Sequence, residues 1–264
     1  MPAPEHSAAT AAEFRAPAAW QCIDFLSDLH LSEATPRTFE ALATHLRCTQ
    51  ADAVFILGDL FEVWVGDDGR HDGFEAECCA MLSEATAHRF IAFMAGNRDF
   101  LVGHEMLLAC GVAKVDDPTT LVAFGQRLLL SHGDALCLAD TDYQRFRAEV
   151  RSNDWQMAFL SQPLPKRREV ARQLRAESER RKRELQPEDW ADLDPEATRE
   201  WMVEAQTPQL VHGHTHMPAT HILGPGLTRY VLSDWDHDHL STPRGDVLRW
   251  TGDGLARISP ATSR

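Results

Sequence analysis

Long hydrophobic runs are missing from this 264-residue chain. Its strongest apolar stretches, the one ending at Leu57 and the leucines at 128–130, fall far short of the roughly 18 residues that a membrane-spanning helix needs. Paired cysteines are missing too. Cys22, Cys48, Cys78, Cys79, Cys110 and Cys137 contain no C-x-x-C spacing, which argues against a thiolate zinc knuckle or a disulfide framework and leaves reduced packing residues of a cytoplasmic protein. Positive charge is scarce: 26 Lys and Arg stand against 40 Asp and Glu, a net charge of −14. A general nucleic-acid binder needs a basic footprint to displace counterions from phosphates, so no nucleic-acid partner is expected. The first twenty residues, MPAPEHSAATAAEFRAPAAW, hold a single Arg and no apolar centre, unlike a secretion signal. They read as a disordered extension (1–20) ahead of a single domain (21–264).

Short apolar runs at 22–26, 53–57, 90–94, 127–130 and 209–211, mostly bounded by Gly, Asp or Ser, have the length and composition of buried strands. Helical patterns lie between them. Thr35-Pro36 supplies an N-cap and first-turn pair for a helix to Arg47, 74–88 has helical spacing, and 101–110 ends at Gly111. Alternating strands and helices give an α/β class. Residues 230–232, then 247–250 and 255–258 around Gly252-Asp253-Gly254, predict a late strand and a hairpin. From about 140 to 207 there is no strand pattern, only helical spacing punctuated by Pro163, Pro165, Pro187 and Pro195. This predicts a helical insertion. Within it, 166–184 carries nine Lys and Arg against four Glu, a net of +5 in an acidic protein. Such a run is either a solvated helix face laced with i,i+4 pairs or a cover over an anionic substrate or membrane surface.

Five strand patterns are followed by residues that bind hard or borderline metals: Ser27-Asp28-Leu29-His30, Gly58-Asp59, Gly96-Asn97-Arg98-Asp99, Ser131-His132-Gly133-Asp134 and His212-Gly213-His214-Thr215-His216. Taken singly, a His here is a packing residue and Gly-Asp a turn. In open α/β sheets, however, ligand sites form at the carboxyl ends of strands, where side chains remote in sequence converge. Asp28, His30, Asp59, Asn97, His132, His214 and His216 supply seven N/O donors and no sulfur. That exceeds one zinc site and suits two divalent ions, with manganese, iron or zinc preferred over calcium.

This ordered set, D-x-H, G-D, G-N, H-G-D and G-H-T-H, resembles the calcineurin-like metallophosphoesterases. The resemblance implies a sandwich of two mixed β-sheets flanked by helices, with Asp28, His30, Asp59 and His216 holding one ion and Asp59, Asn97, His132 and His214 the other, Asp59 bridging. A narrower match at 58–68, 96–100, 131–137 and 212–216 is similar to the UDP-2,3-diacylglucosamine diphosphatase family of lipid A biosynthesis, over about residues 22–250. That family's activity implies a UDP-2,3-diacylglucosamine substrate, UMP and 2,3-diacylglucosamine 1-phosphate as products, two divalent ions (Mn2+ expected), and a peripheral position on the cytoplasmic face of the inner membrane. No obligate protein partner is implied. Its catalytic positions fall on Asp59, Asn97, Arg98 and His132, and its substrate contacts on Asn97, Arg98, Asp140, Ser178 and His214. Downstream of Ser178, Lys182 and Leu185 stand where the family has a small polar residue and a Lys, so Lys182 or Arg183 becomes the candidate lid contact.

Arg98 narrows the chemistry on physical grounds. A guanidinium stays protonated at any working pH, so it neutralises phosphate oxygens but cannot protonate a departing alkoxide. A phosphate leaving group needs little protonation, and Arg98 therefore favours diphosphate cleavage. A structural salt bridge to Asp99 or another carboxylate is the competing reading. The alternatives to the main function are another dinuclear-metal phosphoesterase (a nucleotide-sugar diphosphatase, phosphodiesterase or phosphatase) or a non-catalytic scaffold. Finally, Phe146, Val150, Trp155, Met157, Phe159 and Leu160 precede the basic run. They are either ordinary helix packing or an apolar chamber for acyl chains.

Overall fold

The computed structural model describes residues 11–184, 192–239 and 241–262, without the side chains of 179 and 181–184. In chain order the strands are β1 Ala12–Arg15, β2 Cys22–Leu26, β3 Ala53–Leu57, β4 Phe90–Met94, β5 Ala113–Lys114, β6 Thr119–Ala123, β7 Gln126–Ser131, β8 Gln209–His212, β9 Ala219–Gly224, β10 Leu227–Val231, β11 Val247–Thr251 and β12 Gly254–Ile258. The helices are α1 Pro36–Cys48, α2 Gly73–Thr86, α3 His104–Cys110, α4 Thr141–Val150, α5 Asn153–Leu160, α6 Leu164–Glu184 and α7 Pro195–Glu204. They build two six-stranded mixed sheets, ordered β12-β11-β2-β3-β4-β5 and β1-β6-β7-β8-β10-β9. In the first, β2 to β5 run parallel and the β11–β12 hairpin closes one edge antiparallel to β2. In the second, β7, β8 and β10 are parallel, with antiparallel partners β6 and β9.

Burial on both faces explains the unbroken apolar runs. β3 is buried at all five positions because one face of its sheet packs on α1–α3 and the other on the second sheet. Between the sheets, Phe55 sits with Phe14, Phe25 and Phe90 at ring separations of 5.6–6.2 Å, and its full burial contributes about 2–3 kcal/mol. On the outer face of the second sheet, Leu129 and Leu210 meet Leu193 and Met202.

Three expectations change. The disordered extension is shorter than predicted: Ala12–Arg15 adds a parallel edge strand to β6, because Phe14 can be buried against Trp20, Phe55 and Phe90. Residues 1–10 lie outside the described residues. The third helix starts at His104, not 101, because the Asp67 carboxylate accepts the Gly103 and Met106 N–H groups and caps it there. The predicted insertion contains only helices among its described residues, but α7 covers the second sheet through Met202 and so belongs to the sandwich's flank.

Candidate metal centre

Positive φ marks the places where the chain turns back over the strand ends. Seven described non-glycine residues have it, and five of them are Asp28, His30, Asp59, His214 and His216, at φ of 49–69°. This backbone costs a non-glycine residue about 1 kcal/mol or more, so it persists only where surrounding contacts impose it. Two glycines let the loops touch. A Cβ on Gly58 (φ +88°) would lie 2.7 Å from the Gly96 Cα and strike the His132 ring, and one on Gly213 would lie 2.7 Å from the Ser27 Cβ and strike the Asp28 carboxylate.

The seven predicted ligands converge. Ligand atoms of Asp28, His30 and His216 lie within 4.8 Å of one another, as do those of Asp28, Asp59 and His132. His30 Nε2 is 3.2 Å from His216 Nε2, which is 3.4 Å from Asp28 Oδ1. Asn97 Oδ1 joins the other end, 2.9 Å from His132 Nε2 and 2.8 Å from His214 Nδ1, while His132 Nε2 is 3.7 Å from Asp59 Oδ1. Asp28 is common to both carboxylate–histidine groups, whereas the sequence pattern assigns the bridge to Asp59.

This donor set fits divalent cations. His30 Nδ1 faces Glu62 at 3.3 Å and His216 Nδ1 faces Asp234 at 3.6 Å. These carboxylates favour the proton on Nδ1, so both Nε2 lone pairs point into one space, where a cation satisfies them together. His132 Nδ1 likewise donates to the Leu57 carbonyl at 2.9 Å, leaving Nε2 toward Asn97. The electrostatics agree. Burial opposes charge on His132, but Asp59, Asp134 and Asp28 outweigh it and raise its pKa to about 9. Burial and His132 push His214 down to about 4. Asp28 stays well below the usual carboxylate range despite burial, held there first by His216. The cluster thus carries more carboxylate charge than its imidazoles balance, and a proton on His132 meets a demand that a divalent ion would meet better.

The neighbouring residues have distinct tasks. Asp99 accepts N–H groups from Leu60 at 2.7 Å, Gly96 at 2.8 Å, and Asp59 and Phe61 at 3.3 Å, and thereby pins the Gly58 and Gly96 loops together. Burial and the Asp59 charge raise its carboxyl to about 7. The competing reading of Arg98 as a salt-bridge partner of Asp99 finds no such pair among the described residues. Arg98 donates its backbone N–H to Asp59 Oδ1 at 2.8 Å, and its buried Nε has no partner among the described residues.

The candidate substrate residues farther along the chain are less unified. Asp140 caps α4 by accepting the Tyr143 N–H at 3.0 Å. Ser178 is exposed on α6, and the Lys182 and Arg183 side chains lie outside the described residues. Of the apolar residues before the basic run, Val150 and Phe159 are buried, Trp155 stacks on Phe159 at 4.8 Å, and Phe146, Met157 and Leu160 are exposed. The basic run is substantially paired: Arg167 with Asp68, Arg168 with Glu75, Arg172 with Glu169, Arg175 with Glu62 and Arg180 with Glu177.

Sequence reasoning missed four contributors. Buried Asp134 ties α4 to the His132 loop, accepting from the Tyr143 hydroxyl at 2.6 Å and from Arg147 at 2.8 Å, with Arg151 at 3.4 Å. The H-G-D motif contained it without revealing that role. The Tyr143 ring stacks on His214 at 5.9 Å. Glu62, within the G-D-L-F-E run, and Asp234 sit behind His30 and His216, and only their tertiary contacts disclose this.

Comparison with known proteins finds relatives in one family. The calcineurin-like phosphoesterase family profile matches residues 23–218. A UDP-2,3-diacylglucosamine hydrolase from Chromobacterium violaceum is 44% identical over 215 residues, covering 81% of this chain and 90% of that protein. The protein of the same name from Xanthomonas campestris pv. campestris is 43% identical over 244 residues, covering 88% and 96%. Among solved structures, an archaeal phosphodiesterase aligns over 90% of this chain and 98% of its own at 11% identity, with a TM-score of 0.46.

Proposed function

Since this chain belongs to the calcineurin-like phosphoesterase family, we infer that its strand-end site hydrolyses the diphosphate of UDP-2,3-diacylglucosamine to UMP and 2,3-diacylglucosamine 1-phosphate, a step of lipid A biosynthesis. The protein is a metal-dependent hydrolase. The observation that carries the substrate reading is Arg98, whose backbone N–H is held by Asp59 beside Asn97, whose buried Nε has no hydrogen-bond partner among the described residues, and whose charge acts on nearby Glu62.

Two divalent ions, once held here, would supply the Lewis acidity that makes water a competent nucleophile near neutral pH and offsets phosphate charge. Manganese is our preferred metal, because mixed imidazole, amide and carboxylate donors without sulfur suit it. Asp28, His30 and His216 would hold one ion, and Asn97, His132 and His214 the other. Asp59 would contribute to holding both. Both Asp28 oxygens already accept the His214 N–H, at 2.9 and 3.1 Å, and Oδ2 also accepts the Ser27 hydroxyl at 2.5 Å. Asp59 accepts the Arg98 N–H on Oδ1, so its other oxygen is the better second ligand. Leu57 and Asp99 hold these side chains in place before substrate arrives, so little reorganisation accompanies reaction. Arg98 clamps the diphosphate oxygens through fixed N–H donors.

Exposed Phe146, Met157 and Leu160 support an acyl-binding role for the helical insertion. No described helix is long and apolar enough to cross a membrane, and a shallow contact with the cytoplasmic face of the inner membrane would give access to a lipid substrate. The test is phosphorus NMR of purified protein with Mn2+ and UDP-diacylglucosamines of decreasing acyl length. Removing four methylenes in total should lower kcat/KM about two hundredfold, at about 0.8 kcal/mol each. A flat series would instead support a general nucleotide-sugar diphosphatase.

A further inference from the structure

Glu62 touches two parts of the molecule that otherwise serve different ends. One carboxylate oxygen lies 3.3 Å from Nδ1 of His30, and the other pairs with Arg175 on α6. The backbone fixes the first contact: Glu62 donates its N–H to the Leu31 carbonyl at 3.0 Å, and Leu31 donates to the Leu60 carbonyl at 2.9 Å, so the 60–62 segment runs directly alongside His30. The second contact belongs to a longer seam. Eight residues before Arg175, buried Arg167 bonds the Val65 carbonyl and the Asp68 carboxylate, and Arg168 reaches Glu75 at 3.4 Å. Eight helical residues span about 12 Å. The insertion helix is therefore anchored along the loop that follows β3, and its contact nearest the metal ligands ends on the carboxylate that orients His30.

We propose that Glu62 and Arg175 are positioning residues that couple docking of α6 to metal binding at His30. With Arg175 seated, the Glu62 carboxylate is held 3.3 Å from His30 Nδ1, favours the proton on that nitrogen and so keeps Nε2 directed at Asp28 and His216. With α6 displaced, Glu62 loses one of its two anchors and His30 gains rotational freedom. Thermodynamic linkage makes the effect reciprocal: if docked α6 favours the metal, bound metal favours docked α6 by the same factor. The coupling rests on the dinuclear reading of the site and adds to it a device by which an empty centre loosens its cover.

Hydrogen exchange of the full chain tests this with Mn2+ as the only added ligand. The protein is stripped with a chelator, its Mn2+ stoichiometry is measured by calorimetry, and amide exchange in 168–178 is compared with and without the metal. In the unaltered chain, Mn2+ should slow exchange there about tenfold. In Arg175→Ala, two ions should still bind, with affinity for one of them reduced about tenfold, and the slowing should vanish; Arg175→Lys should restore part of it. Glu62→Gln keeps an acceptor for His30 but loses the charge partner of Arg175, so it should bind Mn2+ and also lose the slowing. If Arg175→Ala retains the full metal-dependent slowing, the coupling is wrong although the metal centre stands. If the unaltered chain binds no Mn2+, the dinuclear reading and the coupling fall together.

Discussion

Replacing Arg98 with Ala separates the two roles a half-buried arginine can have. Were its guanidinium half of a buried ion pair with Asp99, removal would strand a charge and cost about 3–5 kcal/mol of stability. At roughly 2–4 °C per kcal/mol for a domain of this size, the melting temperature would fall by about 10 °C. The structure points elsewhere. Asp99 is occupied by four backbone N–H groups, and the Arg98 Nε is buried without a partner among the described residues. Arg98→Ala should therefore leave stability within about 0.5 kcal/mol, a shift of less than about 2 °C. Activity should respond very differently. A charge-assisted contact to diphosphate oxygens that strengthens in the transition state contributes about 3 kcal/mol, so kcat/KM for UMP release should drop roughly a hundredfold. Turnover of an activated aryl phosphodiester, whose leaving group bears no phosphate charge, should fall much less. Thermal melts and the two rate assays on one preparation decide the matter. A large melting shift with equal losses on both substrates would make Arg98 structural and remove its support for diphosphate chemistry.

Asp59→Asn should weaken both metal sites, whereas His216→Ala should mainly weaken one, which metal analysis after equilibrium dialysis will separate; two tightly bound ions in Asp59→Asn would return the bridge to Asp28. The metal-free protein should also carry a pH signature. Because the folded pKa of His132 is raised to about 9, above the ordinary value near 6.5, its contribution to apo stability is complete below about 6.5 and is lost as pH rises through 9. Chelator-treated protein should therefore lose this part of its stability between those limits, and Mn2+ affinity should rise about tenfold per pH unit across the same window as one proton is displaced. Calorimetry from pH 6 to 9 checks this, and a flat affinity would contradict a protonated His132. At limiting Mn2+, activity should fall with that affinity as pH drops from about 9 toward 6.5.

The sequence by itself determined which donors come together at the strand ends. Strand ends are local events: an apolar run that stops at Gly-Asp or His-Gly-His announces both the strand and the side chain at its tip, which is why all seven donors were legible and do meet. The insertion's helical character was also local. What depended on long-range partners was invisible. β1 is a strand only because β6 and Phe55 receive it, and α3 begins where Asp67, 36 residues earlier, supplies a cap. The basic run carried the right charges, but pairing of Arg167 and Arg175 with Asp68 and Glu62 turns much of that charge from a free surface into a seam. Glu62 and Asp234 have no spacing that marks them, because an outer partner of a histidine is chosen by direction and distance in the folded molecule. Sequence fixes which atoms are available as ligands; only the packed structure decides which oxygen stands behind each imidazole, and hence which nitrogen faces the metal.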